Sequence, residues 1–148
     1  MGYSKEYTAW SYWDPQHYLK NYFSTLKRDE EETIKFLVKH LELVYKFFGK
    51  IVPILEFGCG PVLIHGVAAA PYASELYFAD YLQVNLEAIK QWYDQHADSF
   101  KWHEFTKKIL ETEGSTNINL QEIIERENKL RKISTHFLVP SSLPSSTM

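Results

Sequence analysis

Cysteine is almost missing from this chain. Among 148 residues there is one, Cys59, which excludes an internal disulfide framework and fits a reducing compartment. A strong charge of one sign is missing too. The net charge of −3 leaves no electrostatic footprint for nucleic acid. No apolar run approaches the ~20 residues that a membrane span needs. The opening MGYSKEYTAW has no apolar stretch of the signal-peptide kind. The six histidines show no HExxH spacing and have no cysteine cluster to join, so no metal site is expected. No internal repeat is visible. From these absences we expect a soluble, cytoplasmic protein without nucleic-acid or membrane partners.

What is present is ordinary in bulk and unusual in one respect. The length suits one domain, large enough to bury about 68–70% of its unfolded surface. The hydrophobic fraction of 45% and charged fraction of 24% are those of a globular chain. Aromatics stand out, with ten Tyr, nine Phe and four Trp. Some suit a surface for flat ligands, and most are expected in a bulky core.

The local signals order the chain. Residues 1–13 read as an irregular aromatic arm. Asp14 and Pro15 start a helix, as N-cap and first helical residue, which runs to about Phe23. A second helix begins near Arg28 with acids in its first turn, read as a solvated start that suits the helix dipole. Ile34, Leu37, Val38, Leu41, Val44, Tyr45 and Phe48 form its apolar stripe, and Gly49 ends it. Residues 51–57 read as a buried strand with Pro53 near its start. Residues 62–70 form a short helix and residues 75–80 a second strand. Residues 82–95 form a helix with Leu82, Leu86, Ile89 and Tyr93 on one face. Residues 101–113 are helical, and residues 114–117 break that helix. Asn119 and Glu122 match a capping box before a helix that buries Leu120, Ile123, Ile124 and Leu130. The alternating charges from Glu125 to Lys132 read as its exposed face. Residues 136–139 read as a third strand. The result is an α/β fold: two helices, then a βαβ unit with a partial parallel sheet and right-handed crossovers.

The stretch ILEFGCGP carries the chemistry. Gly58 and Gly60 flank Cys59 at the end of the first strand, where positive φ and close backbone approach are available to glycine. Cys59 reads as a small filler. Asp80 ends the second strand, and ligands of open α/β sheets sit outside these strand ends. An acid there can accept hydrogen bonds from ribose hydroxyls. Gly58, Gly60 and Asp80 therefore describe a nucleoside site, against the plainer reading of a tight turn and a solvated Asp. A dinucleotide fingerprint wants a third glycine where this chain has Leu63. S-adenosylmethionine needs no phosphate cradle. Glu56, two residues before Gly58, is the type of acid that supports its methionine end. The residues lean toward a methyl donor, and a Rossmann module of another class remains the other reading.

Three blocks then show a resemblance. WDPQHYLKNYF, ILEFGCGP and ADYLQVNLEAIKQWYDQHADSFKW resemble segments of the nicotinamide / phenylethanolamine / indolethylamine N-methyltransferases, which use S-adenosyl-L-methionine and have a Rossmann-like fold. The likeness runs from about Trp13 to Lys132. It implies that Tyr18 and Tyr22 close over cofactor and substrate, with Phe23 where a second adjacent Tyr is usual. It implies that Gly58 and Gly60 face the methionine part and that Asp80 holds the ribose. It also implies that Tyr81 lies beside the adenine and that Asn85 contacts the cofactor. Val62 and Ile64 stand where a Thr and a Tyr are usual, which removes two hydroxyls.

The family pattern continues past KLR into a third strand ending in Asp-Val. Ser141 and Ser142 stand near that place here. The resemblance therefore implies an incomplete methyltransferase domain over residues 1–139, with 1–49 as arm and helices and 50–139 as the βαβ cofactor-binding part. The Ser/Pro-rich residues 140–148 are expected to be a disordered tail. Strands four to seven and much of the pocket for a small amine or pyridine substrate are then absent. Without strand four, residues 51–57 become a sheet edge with uncovered apolar side chains, a site for pairing with a partner or for aggregation. The expected activity is N-methyl transfer, and the alternative is an inactive cofactor-binding or interaction fragment.

Overall fold

The computed structural model describes residues 10, 12–49 and 51–140. Most of the expected N-terminal arm, and the tail from residue 141, lie outside the described residues. Among those described, the order is α1 (Pro15–Tyr22), α2 (Arg28–Phe48), β1 (Val52–Phe57), α3 (Ile64–Ala69), a 3₁₀ turn (Ala70–Tyr72), β2 (Ala73–Ala79), α4 (Gln83–Tyr93), α5 (His103–Thr112), α6 (Leu120–Ile133) and β3 (Ser134–Leu138). The fold is α/β, as the N-terminal part of a Rossmann-like methyltransferase requires.

The boundaries follow from local chemistry. The Asp14 carboxylate accepts the Gln16 N–H at 2.9 Å and starts α1. Gly49, in the left-handed region, stops α2. Before α6, Asn119 Oδ1 accepts the Glu122 N–H at 3.0 Å, and Glu122 Oε2 accepts the Asn119 N–H at 2.9 Å. These reciprocal bonds satisfy two donors that a bare helix start would leave orphaned.

The strands form a parallel sheet in the order β1-β2-β3. Crossovers of one hand that step the same way put their helices on one face, and the burial agrees. On the packed face lie Ile54, Leu76, Phe78 and Phe137, joined to the core with α3, α4 and α6. Gly66 of α3 marks the closest approach. A Cβ there would stand 3.0 Å from Phe78 Cζ and 3.3 Å from Leu130 Cδ1, so α3 fits between β2 and α6 because that side chain is missing. On the other face, Leu55 pairs in register with Tyr77, and Tyr77 with His136, whose rings stack 4.5 Å apart. That face is open: Leu55 is 57% and Phe57 75% exposed.

Several expectations need correction. Residues 51–57 are not a buried strand; β1 lies at the sheet edge, as expected without strand four, and alternates half-buried with exposed residues. Pro53 is tolerated there because an edge strand need not bond on both sides. In α2 the stripe is buried at Ile34 and Val38, while Val44, Tyr45 and Phe48 are exposed. Its far half outruns the core. Leu120 is exposed rather than packed, since it opens α6 ahead of its contact with the core. Glu127 lies on the stretch read as solvent-facing, yet is 1% exposed. Its Oε1 is bonded to His103 Nδ1 at 2.8 Å and accepts Thr106 Oγ1 at 3.0 Å, and these partners allow the burial. Nor is the core where most aromatics go. It takes Phe78, Trp92, Trp102 and Phe105, whereas Trp10, Tyr12, Phe36, Phe47 and Phe48 are among those exposed.

Candidate functional site

The two glycines of ILEFGCGP adopt φ of 71° at Gly58 and 58° at Gly60. A residue with a Cβ is strained in that region, so the sequence can turn sharply here. The turn is tied down by its own amides. Gly58 N–H and Cys59 N–H both donate to Ala79 O, at 2.7 and 3.2 Å. Gly60 N–H donates to Asp80 Oδ2 at 2.8 Å. The end of β1 is thereby fastened to the end of β2.

Asp80 is the knot of the site. It is 8% exposed. Its Oδ1 accepts Leu82 N–H at 2.8 Å and Asn85 Nδ2–H at 3.0 Å. Asn85 Oδ1 in turn accepts Trp13 Nε1–H at 2.7 Å. One carboxylate thus joins the glycine turn, the start of α4 and, through Asn85, the aromatic segment before α1. A carboxylate has about four acceptor positions. Among the described residues three are used, which leaves one on Oδ2.

Above the turn is a cavity of about 460 Å³, within the range of small-ligand sites. Trp10, Trp13, Tyr18 and Phe23 form its aromatic wall, and Gly58 to Val62 with Asp80 form its floor. The aromatic wall is packed ring against ring: Trp13 and Tyr18 centroids are 5.0 Å apart, and Tyr18 and Phe23 are 5.8 Å apart. Glu30, read from sequence as part of a solvated helix start, lines the cavity with Thr33. It also accepts the Lys27 N–H at 3.1 Å.

The structure brings Tyr18, Phe23, Gly58, Gly60 and Asp80 to one cavity. Asn85 lies directly behind, buried against Asp80. Tyr22 and Tyr81 are exposed and are not among the lining side chains. Tyr22 borders a neighbouring hollow with Tyr12 and Asn21, on the other side of Trp13 and Tyr18, which line both. Glu56 does not reach the wall either. His65 does, and its Nδ1 lies 2.8 Å from Glu56 Oε1. Glu56 Oε2 is buried and has no hydrogen-bond partner among the described residues. Burial pushes this carboxyl up, outweighing the pull of His65, and the Glu56 bond pushes the His65 imidazole up. For the carboxyl we give burial the greater weight, because one flank of Glu56 has no donor.

Sequence reasoning missed Trp13, Glu30, Thr33 and His65. Trp13 opens a quoted block, but its contact with Asn85 lies 72 residues along the chain; His65 is nine residues from Glu56 of the glycine motif, a spacing that could have found it. Cys59 is buried, and burial pushes its thiol up. That suits the filler role.

Among the described residues no helix is long and apolar enough to cross a membrane. A sequence model described as the NNMT/PNMT/TEMT family matches residues 3–140. A curated relative, the nicotinamide N-methyltransferase of Homo sapiens, is 26% identical over 134 residues. The match takes in 88% of this chain and 49% of the relative, so the chain spans about half the length of that protein.

Proposed function

The chain belongs to the NNMT/PNMT/TEMT family of methyltransferases, and on that premise we propose that residues 1–139 form the cofactor-binding part of an S-adenosyl-L-methionine-dependent N-methyltransferase. The acceptor is a small amine or pyridine-type molecule, a reading supported by the name of the human relative. The observation that carries the proposal is the cavity over the Gly58–Gly60 turn, with Asp80 in its floor and an aromatic wall opposite.

The residues present fit this cofactor. Asp80 has one acceptor position left for a ribose hydroxyl. Glu30 and Asp80 give the cavity negative charge, and Trp13 and Tyr18 give it ring faces, both favourable to a sulfonium cation. Glu56, which does not line the cavity, holds the His65 ring at its wall from behind. Gly58 and Gly60 let the methionine part lie close to the backbone, Asn85 holds Asp80, and Tyr18 and Phe23 wall the cavity. When bound, S-adenosylmethionine supplies an electrophilic methyl group that a nucleophilic nitrogen takes by in-line displacement. The chain's own contribution is positioning and exclusion of water, and orientation of this kind can supply about 7–11 kcal/mol. The single cysteine supports a cytoplasmic setting.

The test is calorimetric titration of the folded chain with S-adenosylhomocysteine, followed by a methyl-transfer assay with nicotinamide. Micromolar binding is expected. No heat from a chain shown to be folded would refute the cofactor reading. A second reading is supported by the open sheet edge, where Leu55 and Phe57 are exposed: an inactive fragment that binds cofactor or pairs through β1. Binding without turnover, together with a self-associated mass by light scattering, would favour it.

A further inference from the structure

Any amino-acid cofactor brings a carboxylate, and the glycine turn offers it little. The amides of Gly58, Cys59 and Gly60 already donate to Ala79 O and Asp80 Oδ2. Among the described residues lining the cavity, neither Lys nor Arg occurs, and Glu30 and Asp80 are negative. Val62 and Ile64 bring no hydroxyl. His65 is the lining side chain that can carry positive charge.

We propose that His65 binds the carboxylate of the cofactor's amino-acid end, with Glu56 positioning its ring from behind; this rests on the cofactor reading above. The geometry is that of an imidazole fixed through one nitrogen. Nδ1 is engaged by Glu56 Oε1 at 2.8 Å, which leaves Nε2–H as the donor for a ligand. His65 is about half exposed, while Glu56 is covered, so the ring and not the acid meets the ligand. The Glu56 bond holds the imidazole protonated to higher pH than usual, and a protonated ring is a charge-assisted donor to a carboxylate. Other titratable groups face the same cavity. They are Tyr18 from α1, Glu30 from α2, Cys59 from the turn and Asp80 after β2. Burial pushes the Cys59 thiol up and keeps it neutral, and the imidazole shift itself comes from Glu56.

The sign follows directly. Carboxylate affinity is full below the His65 pKa and is lost as pH rises through it. The test is calorimetric titration between pH 5.5 and 8 with two ligands, S-adenosylhomocysteine and 5′-methylthioadenosine, which lacks the amino-acid end. S-adenosylhomocysteine should weaken about tenfold across that range, while 5′-methylthioadenosine stays flat. His65→Gln should remove the pH dependence of S-adenosylhomocysteine and leave 5′-methylthioadenosine unchanged. Glu56→Gln should move the midpoint to lower pH. If S-adenosylhomocysteine binds with no pH dependence, or keeps it in His65→Gln, the assignment of His65 is wrong and the cofactor reading stands. If neither nucleoside binds the folded chain, both fall.

Discussion

Replacing Asp80 by Asn separates the structural part of this residue from its part in ligand binding. The carboxylate takes three donors at 2.8–3.0 Å: Gly60 N–H, Leu82 N–H and Asn85 Nδ2–H. An amide has one oxygen in place of two. Placed where Oδ1 stands, that oxygen keeps Leu82 and Asn85 and turns its NH₂ toward the Gly60 N–H, donor against donor. Flipped, it keeps Gly60 and opposes the other two. The better arrangement orphans one partly buried N–H, at about 1–3 kcal/mol, and weakens two charge-assisted bonds. We expect Asp80→Asn to destabilise the chain by about 3 kcal/mol. At roughly 2–4 °C per kcal/mol for a chain of this size, Tm should fall by about 6–12 °C. Urea unfolding followed by tryptophan fluorescence measures this without ligand. A midpoint within error of the parent would refute the reasoning, because it would mean that the three bonds fasten nothing. Asp80→Ala loses all three hydrogen bonds and should cost more, so loss of ligand binding in either variant is informative only well below its Tm.

Other substitutions probe the remaining features. Glu127→Ala removes the buried acceptor of His103 and Thr106 and leaves nearby Arg131 without its carboxylate, so we expect a loss of about 2–3 kcal/mol by urea titration. Cys59 should stay unmodified by iodoacetamide at pH 8 in the native chain and react fully in urea, since its thiol is buried and pushed up; rapid native labelling would contradict this. Phe57→Lys puts a charge on the open edge and should change stability by less than about 0.5 kcal/mol while reducing self-association by light scattering.

Local signals in the sequence were enough to locate most elements. Asp14 with Pro15, Gly49, and Asn119 with Glu122 announce helix ends because caps act on donors and acceptors a few residues away. The Gly58–Gly60 turn and Asp80 were legible for the same reason, since two strand ends bring them together. Longer contacts were not. Trp13 reaches Asn85 across 72 residues, and no pattern near Trp13 implies it. Glu127 sits in a charge-alternating helix whose local pattern says solvent, and its burial depends on His103 and Thr106 of another helix. Whether β1 is covered on one face or two depends on what packs against it, which a run of apolar residues cannot specify.

The strand order has a consequence in time. Synthesis proceeds from β1 to β2 to β3, and each new strand docks on the side away from β1. No described strand pairs with the outer rim of β1 once β2 has docked on its other side, and none of the described residues up to 138 adds one. Leu55 and Phe57 stay wet on the nascent chain throughout that interval. During translation this rim is the surface most open to a chaperone, or to a neighbouring chain on the same messenger.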